Sequence, residues 1–109
     1  MNEILSKEFL KNMFLVECDN MNPYLKKGDI AIYEPIQANR RFASSVYILK
    51  IRDETFVSRV QFLARGGIRL ISDSNPKLRE EFSKEELKNV LFIGHVIGRI
   101  IKEYSLYKF

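Results

Sequence analysis

Val16-Glu17-Cys18-Asp19-Asn20-Met21-Asn22-Pro23-Tyr24-Leu25-Lys26-Lys27-Gly28-Asp29 is a polar, turn-rich segment set between two apolar runs. It continues the apolar run Phe14-Leu15-Val16, which reads as a strand, and leads into Ile30-Ala31-Ile32-Tyr33, which reads as the next one. Between the two the chain turns. Asn20 suits a turn in which a side-chain amide bonds local backbone, and Lys27-Gly28-Asp29 is turn chemistry directly ahead of a strand. Cys18 and Asn20 stand two apart, so they share a face if the chain stays extended between them.

Outward from this stretch the strand signal repeats. Val46 to Ile51, Phe56 to Phe62, Ile68 to Ile71 and Leu91 to Ile101 are short runs of β-branched and aromatic residues. Arg52-Asp53-Glu54 and Arg65-Gly66-Gly67 join successive runs as hairpins, which makes the sheet mostly antiparallel. Ser74-Asn75-Pro76 marks a loop. Ser83-Lys84-Glu85-Glu86 starts a short helix, with Ser83 as cap and Glu86 closing the box three residues later. Towards the amino terminus, Ile4, Leu5, Phe9, Leu10 and Met13 fall near helical spacing, so a short amphipathic helix is expected there. The expected division is a helical segment over 1–12 and one β domain over 13–109.

A chain of 109 residues buries a single core without metal or disulfide staples. With 46% hydrophobic and 29% charged residues it has the balance of a globular domain, which excludes a disordered or fibrous chain. The lone Cys18 cannot form an internal disulfide, and the first residues lack the pattern of a secretory signal, so a cytoplasmic protein is expected. Net charge is +4, but acids are interspersed with the bases, including the pairs Lys26-Lys27 and Arg40-Arg41. No basic stripe emerges, so direct DNA binding is the third-ranked reading. No pattern calls for a metal or another cofactor.

The opening stretch resembles the signature of the LexA, UmuD and phage-repressor peptidases of the S24 serine–lysine family, V-x-G-D-S-M-x-P followed by an apolar residue and G-D. Asp19, Met21, Pro23, Leu25, Gly28 and Asp29 occupy the matching places, while Asn20 stands at the nucleophilic serine and Cys18 at the usual glycine. Phe56-Val57-Ser58-Arg59-Val60 resembles the segment that carries the family's lysine, with Ser58 at the lysine and Arg59 at the basic residue after it. Leu70 to Pro76 resembles the family's S-x-N-P loop, with Asn75 and Pro76 in place, and Ile93 to Ile100 resembles its closing G-x-V strand. The resemblance implies a mainly β, LexA- and signal-peptidase-like fold with a short amino-terminal helix and one short helix before the last strand. It also implies a bacterial, prophage-type transcriptional regulator of the SOS-response kind, paired as a homodimer.

A serine–lysine dyad needs a neutral, desolvated amine to take the hydroxyl proton and backbone N–H groups to hold the oxyanion. An amide at position 20 is no nucleophile and a hydroxyl at 58 is no base, so the expected protein is not an enzyme. Ser58 is expected to fill the space of the lysine and to bond Asn20 across the old site. Dimerisation or peptide binding in the former groove is the function that remains, with DNA contacted only through a separate domain. A rival reading makes the chain a hydrolase, with Cys18 as nucleophile and His95 as base. Only nineteen residues precede Asn20, so neither a cis cleavage segment nor a helix-turn-helix is expected within the chain. From Ile97 to Phe109 the apolar run reads either as a strand on its own core or as a dimer interface built on Ile101, Tyr104 and Phe109.

Overall fold

The computed structural model describes residues 11–36, 43–101 and 106–109. These form one sheet of eight strands: β1 (Met13–Leu15), β2 (Ile30–Pro35), β3 (Ser45–Ile51), β4 (Glu54–Phe62), β5 (Ile68–Ser72), β6 (Asn75–Phe82), β7 (Val90–Ile100) and β8 (Leu106–Lys108). Their order across the sheet is β1-β2-β7-β3-β4-β5-β6, and β8 lies beside β7. Every pairing is antiparallel.

Hairpin chemistry explains the order from β3 to β6. Arg52 and Asp53 adopt φ of 52° and 63°, the left-handed pair of a two-residue turn, and Ile51 faces Glu54 across it. The next turn closes with the Leu63 amide donating to the Gly67 carbonyl at 2.9 Å. Strand β7 then returns to the middle, pairing with β2 on one edge and with β3 and then β8 on the other.

Strand β3 is buried on both faces, and its alternation sorts the interior into two clusters. Val46 and Ile48 join Val16, Met21, Leu25, Ala31, Val57 and Val96. Tyr47, Leu49 and Ile51 join Val60, Ile68, Leu70 and Phe82. A flat sheet cannot cover both of its faces with itself. Register shifts at Ile32/Tyr33, Ile48/Leu49 and Ile71/Ser72 mark irregularities where such a sheet can bend.

Two expectations need correction, and a third falls largely outside the described residues. The stretch around Asn75 and Pro76 is not a loop, because the turn is Asp73-Ser74 and Asn75 opens β6. That strand is exposed at every position but its last, so it carries none of the alternation that marks a half-buried strand. Its charges and Pro76 suit an edge that must not pair further. The helix expected from Ser83 is a single 3-10 turn, Glu85–Asn89, cut short because Val90 already begins β7. The expected amino-terminal helix lies outside the described residues over 1–10, and Met13, placed on its stripe, opens β1 instead. No helix among the described residues is long and apolar enough to cross a membrane.

Candidate functional site

After β1 the chain closes a compact loop on itself. The Val16 amide donates to the Asp29 carbonyl and the Gly28 amide to the Val16 carbonyl, both at 2.9 Å. Gly28, at φ 96°, takes a conformation that a side chain would strain. Two motif carboxylates tie the loop from within. Asp19 Oδ1 accepts from the Lys27 amide at 3.0 Å, and the buried Asp29 accepts through Oδ2 from the Lys26 amide at 2.9 Å. Met21 and Leu25 are fully buried, which pins the loop to the first core cluster. The Asn22–Pro23 bond is cis; Pro23 is exposed, while Tyr24 is half-buried against the first core cluster.

Pinned in this way, the loop presents Asn20 to β4. Asn20 Nδ2 donates to the Val57 carbonyl at 2.8 Å, just past the end of the β4–β5 ladder at Arg59. The Asn20 carbonyl accepts from the Ser74 amide at 3.1 Å, so the loop bridges β4 and the β5–β6 turn. Its Oδ1 accepts from the exposed Cys18 thiol at 2.7 Å. Ser58, next along β4, is 3% exposed, lies opposite Tyr47 and donates to the Arg59 carbonyl at 3.2 Å. The expected bond between Asn20 and Ser58 is therefore not formed. Each is a neutral donor that finds a backbone carbonyl, because Ser58 follows the Tyr47 face of β4 while Asn20 reaches its main chain.

Arg59 makes a two-pronged ion pair with Asp73, at 2.8 and 2.9 Å, and its guanidinium lies 5.0 Å from the Tyr24 ring centre. The Asp73 hydrogen bond holds the Arg59 pKa above its usual value. Burial pushes the Tyr24 phenol up, opposed by the positive charge of Arg59. Tyr24 also meets Phe109, with ring centres 4.6 Å apart, and Arg99 donates to the Tyr24 carbonyl at 2.6 Å. Loop, β4, β7 and the carboxy-terminal residue thus meet at Tyr24, a convergence that no local motif announces. Asn75 Oδ1 accepts from the Lys77 amide at 3.3 Å, and exposed Pro76 has its carbonyl bonded by Arg79.

The carboxy-terminal candidates separate. Strand β8 lies on β7, Ile101 is half-buried, Phe109 is 46% exposed, and Tyr104 is outside the described residues. His95 does not join Cys18: its Nδ1 stands 3.4 Å from Glu34 Oε1 and its Nε2 3.0 Å from Ser45 Oγ. Both ring nitrogens are engaged across β2 and β3, so the rival cysteine reading lacks its base. Sequence reading missed Glu34 and Ser45 because only strand register brings them to His95. Among the described residues no group of three or more His, Cys, Asp or Glu is placed to hold a metal.

A protein-family model described as Peptidase S24-like matches residues 4–97. No curated protein matches the chain.

Proposed function

The chain belongs to the Peptidase S24-like family, and from that premise we propose that it is a member without peptidase activity that binds an extended peptide or pairs with a second copy, as part of a transcriptional regulator. The observation that carries this reading is the pair of substitutions where the motifs align: Asn20 at the nucleophile and Ser58 at the base. Asn20 bonds the Val57 carbonyl and Ser58 the Arg59 carbonyl, so neither side chain is arranged to activate an attacking oxygen. Support for peptide binding comes from what the substitutions leave in place, a braced loop beside the part of β4 that lies past the end of the β4–β5 ladder at Arg59.

Incubation of the purified protein with unstructured peptides at mildly alkaline pH tests the loss of activity. No fragments are expected, from the protein itself or in trans. Cleavage abolished by Asn20→Ala, Ser58→Ala or Cys18→Ala would overturn the reading. The complementary variant, Asn20→Ser with Ser58→Lys, returns a nucleophile and a base to the two positions where the motifs align, and weak cleavage in trans is expected from it.

A further inference from the structure

We infer that Ser45, His95 and Glu34 form a nucleophilic relay that accepts acyl groups from esters with acidic leaving groups, at a site distinct from Asn20 and Ser58. The sheet assembles it. Register places Glu34 of β2 opposite His95 of β7, and His95 opposite Tyr47 of β3. Ser45 lies two residues before Tyr47, on the same face of β3.

The chemistry of the three groups orders their protons. The relay takes the tautomer with the imidazole hydrogen on Nδ1, the nitrogen that stands 3.4 Å from Glu34 Oε1, because a carboxylate oxygen there can accept it. In that tautomer Nε2 carries a lone pair and faces Ser45 Oγ, 3.0 Å away, whose hydroxyl can donate to it. A hydroxyl bonded to a base that is itself oriented by a third group is what an activated serine requires. Tyr47, 3% exposed, backs the imidazole with its ring 5.2 Å away, while the His95 and Glu34 side chains are 31% and 36% exposed. Ser45 is half-buried, so the relay lies at the surface and not in either core cluster.

In the acyl-transfer step the Ser45 oxygen bonds the ester carbonyl carbon as its proton passes to His95 Nε2. The bond from that carbon to the leaving oxygen breaks, and the leaving group departs with the proton. Water reverses the sequence: it gives a proton to Nε2 and its oxygen to the acyl carbon, and Ser45 regains its hydrogen as the carboxylic acid leaves. Because the relay supplies nucleophile and base, the esters suited to it are those whose leaving groups need little further help.

The test uses the full chain with p-nitrophenyl acetate as substrate and diisopropyl fluorophosphate as covalent probe. With the probe a Ser45 Oγ–phosphorus bond replaces the phosphorus–fluorine bond, fluoride leaves, and the proton goes to His95. One phosphoryl adduct is expected, on the peptide that contains Ser45. It should vanish in Ser45→Ala, and its rate should fall by about a hundredfold in His95→Gln. Glu34 acts as a positioning residue, so Glu34→Gln should slow labelling and Glu34→Asp restore part of the rate. Circular dichroism and melting temperature verify that each variant is folded, and Ser45→Ala, which loses only a hydroxyl, carries the decision if His95→Gln unfolds. No adduct at Ser45, labelling indifferent to His95→Gln in a folded variant, or ester turnover lost in Cys18→Ala and kept in Ser45→Ala would each overturn the inference. None of these outcomes bears on peptide binding at Asn20.

Discussion

The Asn20 side chain is held at both ends, donating to the Val57 carbonyl and accepting from the Cys18 thiol. A group used in this way contributes to stability where a nucleophile would stand ready to react. Asn20→Ala should cost about 1 kcal/mol, the net worth of one hydrogen bond in a half-buried setting, as measured by urea unfolding. Gly94 shows a constraint of space. A Cβ there would collide with the Tyr33 ring and lie 3.0 Å from the Glu34 carbonyl, because β2 and β7 approach closely at that point. Gly94→Ala should therefore destabilise by about 1–3 kcal/mol through overpacking. It should also displace Glu34 and lower any reactivity that depends on His95, which labelling at Ser45 would report.

Among the elements, the 3-10 turn after β6 is held by reciprocal bonds. Glu86 Oε1 accepts from the Ser83 amide at 2.8 Å, and the Glu86 amide donates to Ser83 Oγ at 3.2 Å. The Ser83 amide, and after it the Ser83 side chain, lower the Glu86 pKa below its ordinary value. A carboxyl whose folded pKa is depressed adds stability above its unfolded pKa and loses it as pH falls through the folded one. The melting temperature should thus fall more steeply below about pH 4.5 in the native protein than in Glu86→Gln. At the β3–β4 turn two residues with side chains hold positive φ, at 52° and 63°. Replacing Arg52-Asp53 by Asn-Gly should stabilise by about 0.5–1 kcal/mol, as left-handed φ suits the new pair. The Arg52–Glu80 ion pair lost in the exchange is 70% and 49% exposed and contributes little.

At the scale of the whole molecule the carboxy-terminal residue combines packing with exposure. Phe109 rests on Tyr24 and lies 5.9 Å from the Arg99 guanidinium, yet remains 46% exposed. Such a residue can brace its own domain and also meet a partner. The proposed homodimer is two-fold, with at least about 1,000 Å² buried and an apolar centre from Ile101, Tyr104 and Phe109. Sedimentation at micromolar concentration is expected to show that dimer, and Tyr104→Ser with Phe109→Ser to give a folded monomer. Loss of thermal stability with no change in mass would assign the segment to its own core. Phe109→Ser alone should cost about 0.5–1.5 kcal/mol, the worth of its ring contact with Tyr24.

Six strands could be read from the sequence because strand pattern is local: β3, β4 and β5 are apolar runs bounded by Arg52-Asp53 and Arg65-Gly66-Gly67. The motif loop was legible for the same reason, since Asp19, Gly28 and Asp29 act on neighbours within a few residues. Strand β6 was not, because its register comes from β5 and its exposed side chains carry no period. The 3-10 turn kept the capping box that the sequence encodes, but its length was set by the start of β7. Everything that depends on contact between distant strands was left to tertiary structure: the Val57 carbonyl under Asn20, Asp73 on Arg59, Phe109 on Tyr24, and Glu34 and Ser45 on His95. A sequence specifies which residues favour a strand, whereas the partner of each side chain follows from register, bulge and bend, which the sheet settles only as a whole.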